Sequence, residues 1–151
     1  MATLSDFEEV QIKDHLIAGG FLSSFTDVDG NTQPAPTTQL LEIDMTQILD
    51  SGRVVLIRDI GGNTNPSTRI HYKQRNMIIV VVGQNNASDS VICKGLANDI
   101  NEYLINNPNN GACLMNIQSS GVNGPFTFAD SRRAYQINIR VDFNIEKRVW
   151  G

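Results

Sequence analysis

The sequence predicts an α+β fold: a mostly antiparallel β-sheet of long strands, with two main helices packed on one face. Three observations predict it. From Tyr135 to Glu146 apolar and polar residues alternate without a break, with Tyr135, Ile137, Ile139, Val141, Phe143 and Ile145 apolar. A period of two sustained that long marks a strand with one buried face. Met77 to Val82 (MIIVVV) is continuously apolar, as expected of a central strand buried on both faces. Only two stretches repeat apolar residues at helical spacing, one after Ser5 and one from Ser88 to Asn106.

Taken in order, Ser5-Asp6-Phe7-Glu8 matches a capping box and starts the first helix. Phe7, Val10 and Ile17, with Ile12 and Leu16 beside them, form its apolar side, and Gly19-Gly20 ends it. Phe21 to Gln39 reads as a long loop. Its turn signal Asp29-Gly30 could join two short strands, while Pro34 and Pro36 argue for an extended loop. A short helix between Asp44 and Asp50 is closed by Gly52. Arg53 to Ile60 is a β-rich strand, broken by Gly61-Gly62-Asn63-Thr64-Asn65-Pro66. Arg69 to Gly83 is strand again.

The second helix carries the stripe Ile92, Leu96, Ile100 and Leu104, with Cys93, Ala97 and Tyr103. Ser88 caps it, Asp89 suits the dipole of its first turn, and Pro108 stops it. Ala112 to Gln118 is a strand, Ser119 to Gly124 a loop and Pro125 to Ala129 a short strand. Asp130-Ser131 turns into the final strand, Arg133 to Glu146. At about 3.4 Å per residue, its alternating part would span roughly 40 Å.

The 151 residues suit one domain, and a net charge of −4 does not by itself imply a nucleic-acid partner. No apolar run reaches the roughly 20 residues a membrane span needs. The start, Met1 to Asp6, is acidic and does not read as a signal peptide. Cys93 and Cys113 fit reduced, buried thiols better than a disulfide framework.

No phosphate loop, dinucleotide fingerprint or metal-ligand spacing is found, so catalytic, cofactor and metal residues are expected to be none. Asp27-Val28-Asp29-Gly30-Asn31 lacks the later glutamate of a calcium loop and reads as an ordinary turn. The sharpest polar feature is the alternating basic stripe Arg69, His71, Lys73, Arg75. It is either a solvated strand face or a surface turned to a neighbouring subunit or to nucleic acid. Arg132 and Arg133 at the last turn, Arg140 and the other even residues of the last strand are further candidates for subunit contact. A small hydrolase built on His71 and a carboxylate is the competing enzyme reading.

One larger pattern remains. A strand (Met77–Gly83) precedes a polar loop and a helix containing Ala97-Asn98-Asp99-Ile100. A strand with Ile117 and a Ser/Gly loop follow, then Pro125-Phe126 and Asp130-Ser131-Arg132-Arg133-Ala134-Tyr135-Gln136-Ile137. This order, over roughly Arg53 to Glu146, resembles the tail terminator (minor tail or tail-completion) proteins of long-tailed bacteriophages. Its most specific part is Arg133-x-Tyr135-x-Ile137-x-Ile139. The resemblance implies a non-enzymatic virion protein without cofactors, assembled in the host cytoplasm. It implies a homo-hexameric ring that caps the tail tube protein, stops its polymerisation and offers a surface to the head connector. DNA would pass through the ring without specific contacts. The loops Phe21–Gln39, Gly61–Ser67 and Ser119–Gly124 are expected to order on docking. A head–tail stopper, an adaptor or a tail tube subunit is the alternative within the same class.

Overall fold

The computed structural model describes residues 7–63, 72–111, 113–128 and 130–144. The elements are α1 (Glu8–Ala18), β1 (Phe25–Thr26), β2 (Thr32–Gln33), β3 (Thr37–Leu40), β4 (Val54–Asn63), β5 (Tyr72–Val82), α2 (Ser90–Asn106), β6 (Leu114–Thr127) and β7 (Arg133–Asn144). The alternating final segment as far as Asn144 is β7, paired on both sides, and Ile145 and Glu146 lie outside the described residues. Against β5 the register runs unbroken from Tyr72↔Asn144 to Val82↔Ala134. Against β6 it runs from Leu114↔Phe143 to Thr127↔Arg133, with three register shifts. The sheet order is β3-β4-β5-β7-β6, and a separate hairpin joins β1 to β2. β3 lies parallel to β4 and the other neighbours are antiparallel. The fold is α+β, as the alternation and the two helical stripes predict.

Side-chain alternation divides the sheet into two faces. Val55, Ile57, Met77, Ile79, Val81, Ile137, Ile139, Val141 and Phe143 point to the helices and pack with Ile12, Leu16, Cys93, Leu96, Ala97, Ile100 and Leu104 in one core. The opposite face buries a smaller cluster of Val54, Leu56, Val80, Val82 and Ala134. Ile43, Met45, Ile48 and Phe128 cover it. The MIIVVV run therefore lies mid-sheet, with buried residues on both faces.

Several expected boundaries move. Ser5 lies outside the described residues, and α1 begins at Glu8 with Phe7 at the cap position. Its inward face is Glu9, Ile12, His15 and Leu16, while Phe7 is 45% and Ile17 50% exposed. The apolar residues of α1 do not form a single stripe. The inward face is completed instead by Glu9, whose Oε2 accepts from the Asp59 amide at 3.0 Å, and by His15, whose Nε2 meets the Asn107 carbonyl at 2.7 Å.

Ser88 does not cap α2. A 3-10 turn, Ala87–Asp89, precedes the helix, and the Asn86 side chain accepts from the Ser88 amide at 3.1 Å. In the segment 21–39 Asp29-Gly30 does turn between two short strands, β1 and β2, and most of β3 follows, so the extended-loop reading gives way. The helix expected between Asp44 and Asp50 is one 3-10 turn, Met45–Gln47, capped by Asp44.

Two expected breaks are absorbed as bulges. β4 runs through Gly61-Gly62, with a shift between Asp59 and Gly61. Gly62 is needed there, because a Cβ would stand 2.2 Å from the Gln74 carbonyl oxygen. Likewise 119–124 is not a loop between two strands. It lies within the single strand β6, whose Ser and Gly residues sit at shifts between Ser119 and Val122 and between Asn123 and Phe126. Bulges are tolerated there because an outer strand pairs on one side only. Among the described residues, no helix is long and apolar enough to cross a membrane.

Candidate functional site

The basic stripe is the first candidate. Arg69 and His71 lie outside the described residues. Lys73 and Arg75 share a sheet face with Met77 and Ile79, so they extend the helix-covered side. The Lys73 ammonium pairs with the Glu8 carboxylate of α1. Arg75 Nε donates to Asp59 Oδ2 at 2.8 Å, and Asp59 Oδ1 accepts from the Gly61 amide at 2.9 Å. The described half of the stripe thus ties the start of α1 and the β4 bulge to the sheet.

The arginines around the last turn also separate. Arg132 is 3% exposed. Its guanidinium donates to the Leu49, Gly52 and Gly83 carbonyls at 2.8, 2.8 and 2.7 Å. It holds the segment over the smaller core and does not offer a surface for contact. Arg133 is half-buried, and its carbonyl accepts from the Gly83 amide at 2.8 Å. Arg140 is exposed on the face away from the helices, between Asn76 of β5 and Gln118 of β6. The five described basic candidates therefore do not form one strip.

A different surface is assembled around Arg140. Beyond the smaller core, the face away from the helices carries Gln74 and Asn76 on β5, Asn116 and Gln118 on β6, and Gln136, Asn138 and Asp142 on β7. Asn76, Gln118 and Arg140 are exposed and the others half-buried. Gln74 Nε2 donates to Asp142 Oδ1 at 3.0 Å, and Gln136 Nε2 to Asn138 Oδ1 at 2.8 Å. Such a face can exchange hydrogen bonds with another polar surface without burying a net charge. The even residues of β7 are legible as candidates from their alternation. Gln74, Asn76, Asn116 and Gln118 are not, because only register reveals that they stand beside them.

Among the described residues nothing comparable gathers around the reactive side chains. Cys93 is buried, and its Sγ lies 3.4 Å from Asp89 Oδ2. Burial, aided by that carboxylate, pushes the thiol far above its ordinary range, so it is held protonated and inert. A cavity of about 150 Å³ lies between the β1–β2 hairpin and α2, lined by Phe21, Phe25, Val28, Ile92, Leu96 and Asp99 among others. It falls below the roughly 300 Å³ at which ligand pockets begin. Among the described residues no group of three or more His, Cys, Asp or Glu could hold a metal ion.

No protein-family model matches the chain, and no curated protein matches its sequence.

Proposed function

We propose that this protein is a structural virion component of the tail-terminator kind. It would form a ring that caps the tail tube, stops its growth and meets the head connector. The observation that carries the reading is the sheet's open polar face beside a face sealed by helices. Strands β5, β7 and β6 form a wall that presents mainly amides, with Arg140 and Asp142 among them. That suits contact with other proteins better than chemistry on a small molecule. The Arg133-x-Tyr135-x-Ile137-x-Ile139 pattern of the resemblance supports it too. Within it, Tyr135, Ile137 and Ile139 anchor β7 to the core, and Tyr135 Oη meets Ser90 Oγ at 2.8 Å.

A ring needs head-to-tail contacts that close by rotation; the same contacts left open give a filament. Native mass spectrometry across a concentration series, with negative-stain images of the largest species, tests the reading. A closed six-fold ring that does not grow is expected, together with binding to the ends of purified tail tubes. Open tubes would move the protein to the tube-subunit alternative. A monomer that fails to bind tail tubes would end the proposal.

A further inference from the structure

The two outer strands of the sheet are β3 and β6. Neither carries a charge: β3 is Thr-Thr-Gln-Leu, and Leu114–Thr127 contains no Asp, Glu, Lys or Arg. Lys73 and Arg75 sit on β5 and Arg133, Arg140 and Asp142 on β7, strands paired on both sides, while Arg58 and Asp59 lie on the half of β4 beyond its pairing with β3. Charges, proline and bulges usually guard a free edge against pairing; the free half of β4 has Arg58, Asp59 and a bulge, whereas β3 and β6 carry no charge. The far half of β6 does have such guards, with Pro125 and shifts at Ser119/Val122 and Asn123/Phe126. Between the shifts at Leu114/Asn116 and Ser119/Val122 lies one regular stretch, Asn116–Ser119. It is the same length as β3, which has four residues.

We propose that these two edges pair with each other between copies. Asn116–Ser119 of one protomer adds, strand to strand, to Thr37–Leu40 of the next, so that the sheet continues across the boundary. The inference rests on the reading of the chain as a ring subunit, because it names the surface through which the subunits join. The two edges lie at opposite sides of one sheet, so the contact is head-to-tail. Four residues a side supply few hydrogen bonds, so each contact is weak alone and gains from closure.

The test uses Gln118→Lys and Thr37→Lys, both at exposed positions, each placing a charge on one edge. Circular dichroism and thermal melting establish that each variant folds, and native mass spectrometry reads its assembly. The wild type is expected to form oligomers as concentration rises, and each variant alone to stay monomeric. An equimolar mixture is expected to form a 1:1 heterodimer and nothing larger, because only one intact pair of edges remains. Assembly of either variant like the wild type would overturn the pairing, including the case in which Thr37→Lys alone assembles because two β6 edges meet. A wild type monomeric throughout the series would overturn it as well. The ring reading fails separately: tubes or dimers disrupted by both substitutions keep the pairing and reject the ring. A six-fold ring formed by both variants keeps the ring and rejects the pairing.

Discussion

Arg53, just before β4, and Asp89, just before α2, face each other inside the protein, Nη2 to Oδ1 at 2.6 Å and Nε to Oδ2 at 2.9 Å. Both side chains are almost wholly buried, 2% and 3% exposed. Asp89 Oδ2 also accepts from the Gln84 amide at 2.9 Å. Arg53 Nη1 donates to Gln33 Oε1 at 3.1 Å, and the Phe25 ring lies 5.7 Å from its guanidinium carbon. One ion pair therefore joins the β1–β2 hairpin, the sheet and the start of α2. Burial disfavours the Arg53 charge, but Asp89 outweighs it and the guanidinium titrates above its ordinary range.

Removing one partner should leave the other charge buried and unmatched. Asp89→Ala is expected to lose about 3–5 kcal/mol in urea unfolding, whereas the double change Arg53→Met with Asp89→Leu should lose much less. Equal losses in the single and double variants would show that the pair contributes through shape alone. Gly83 lies against this pair: a Cβ there would stand only 2.9 Å from Cys93 Sγ and 3.1 Å from Asp89 Oδ2.

Arg132 closes the opposite side of the same end of the sheet. Its fork satisfies carbonyls from Leu49, Gly52 and Gly83 at once, and a lysine ammonium cannot reproduce that planar spread. Arg132→Lys is expected to cost about 1.5–3 kcal/mol, the range for hydrogen bonds to a charged group. Amide hydrogen exchange should localise the loosening to residues 43–52. Uniform exchange across the chain would contradict a local clamp.

The alternation of β7 and the stripe of α2 make the sheet and its main helix legible, because burial writes a period into the sequence. Arg53–Asp89 leaves no such mark: its members are 36 positions apart, and nothing in either segment names the other. The continuity of β6 is hidden for another reason. Ser119, Gly121 and Gly124 are turn residues by local preference, and pairing with β7 overrides that preference. The described half of the basic stripe does alternate, but alternation does not say which face is covered. Glu8 and Asp59, which match Lys73 and Arg75, come from other elements.

The two thiols should react very differently. Cys93 is buried beside a carboxylate that opposes its ionisation, while Cys113 is half-buried. In the native protein a thiol reagent at pH 8 is expected to modify Cys113 first, and Cys93 only at the rate of unfolding. Adding denaturant should expose both. Rapid modification of Cys93 without denaturant would mean that α2 opens far more readily than its packing allows.

Lys73 and Glu8 form a partly exposed pair, with side chains 21% and 13% accessible, so its contribution is small. Lys73→Ala is expected to change stability by no more than about 1 kcal/mol. Lys73→Glu is a different experiment, because it sets a second carboxylate against Glu8 and acts on the attachment of α1 before it acts on any neighbouring subunit. A double change, Lys73→Glu with Glu8→Lys, restores the attraction with the charges exchanged. If Lys73 serves only to hold α1, the exchanged pair should recover both the melting temperature and whatever assembly the single variant loses. Recovery of the melting temperature without recovery of assembly would instead place Lys73 at a contact between copies.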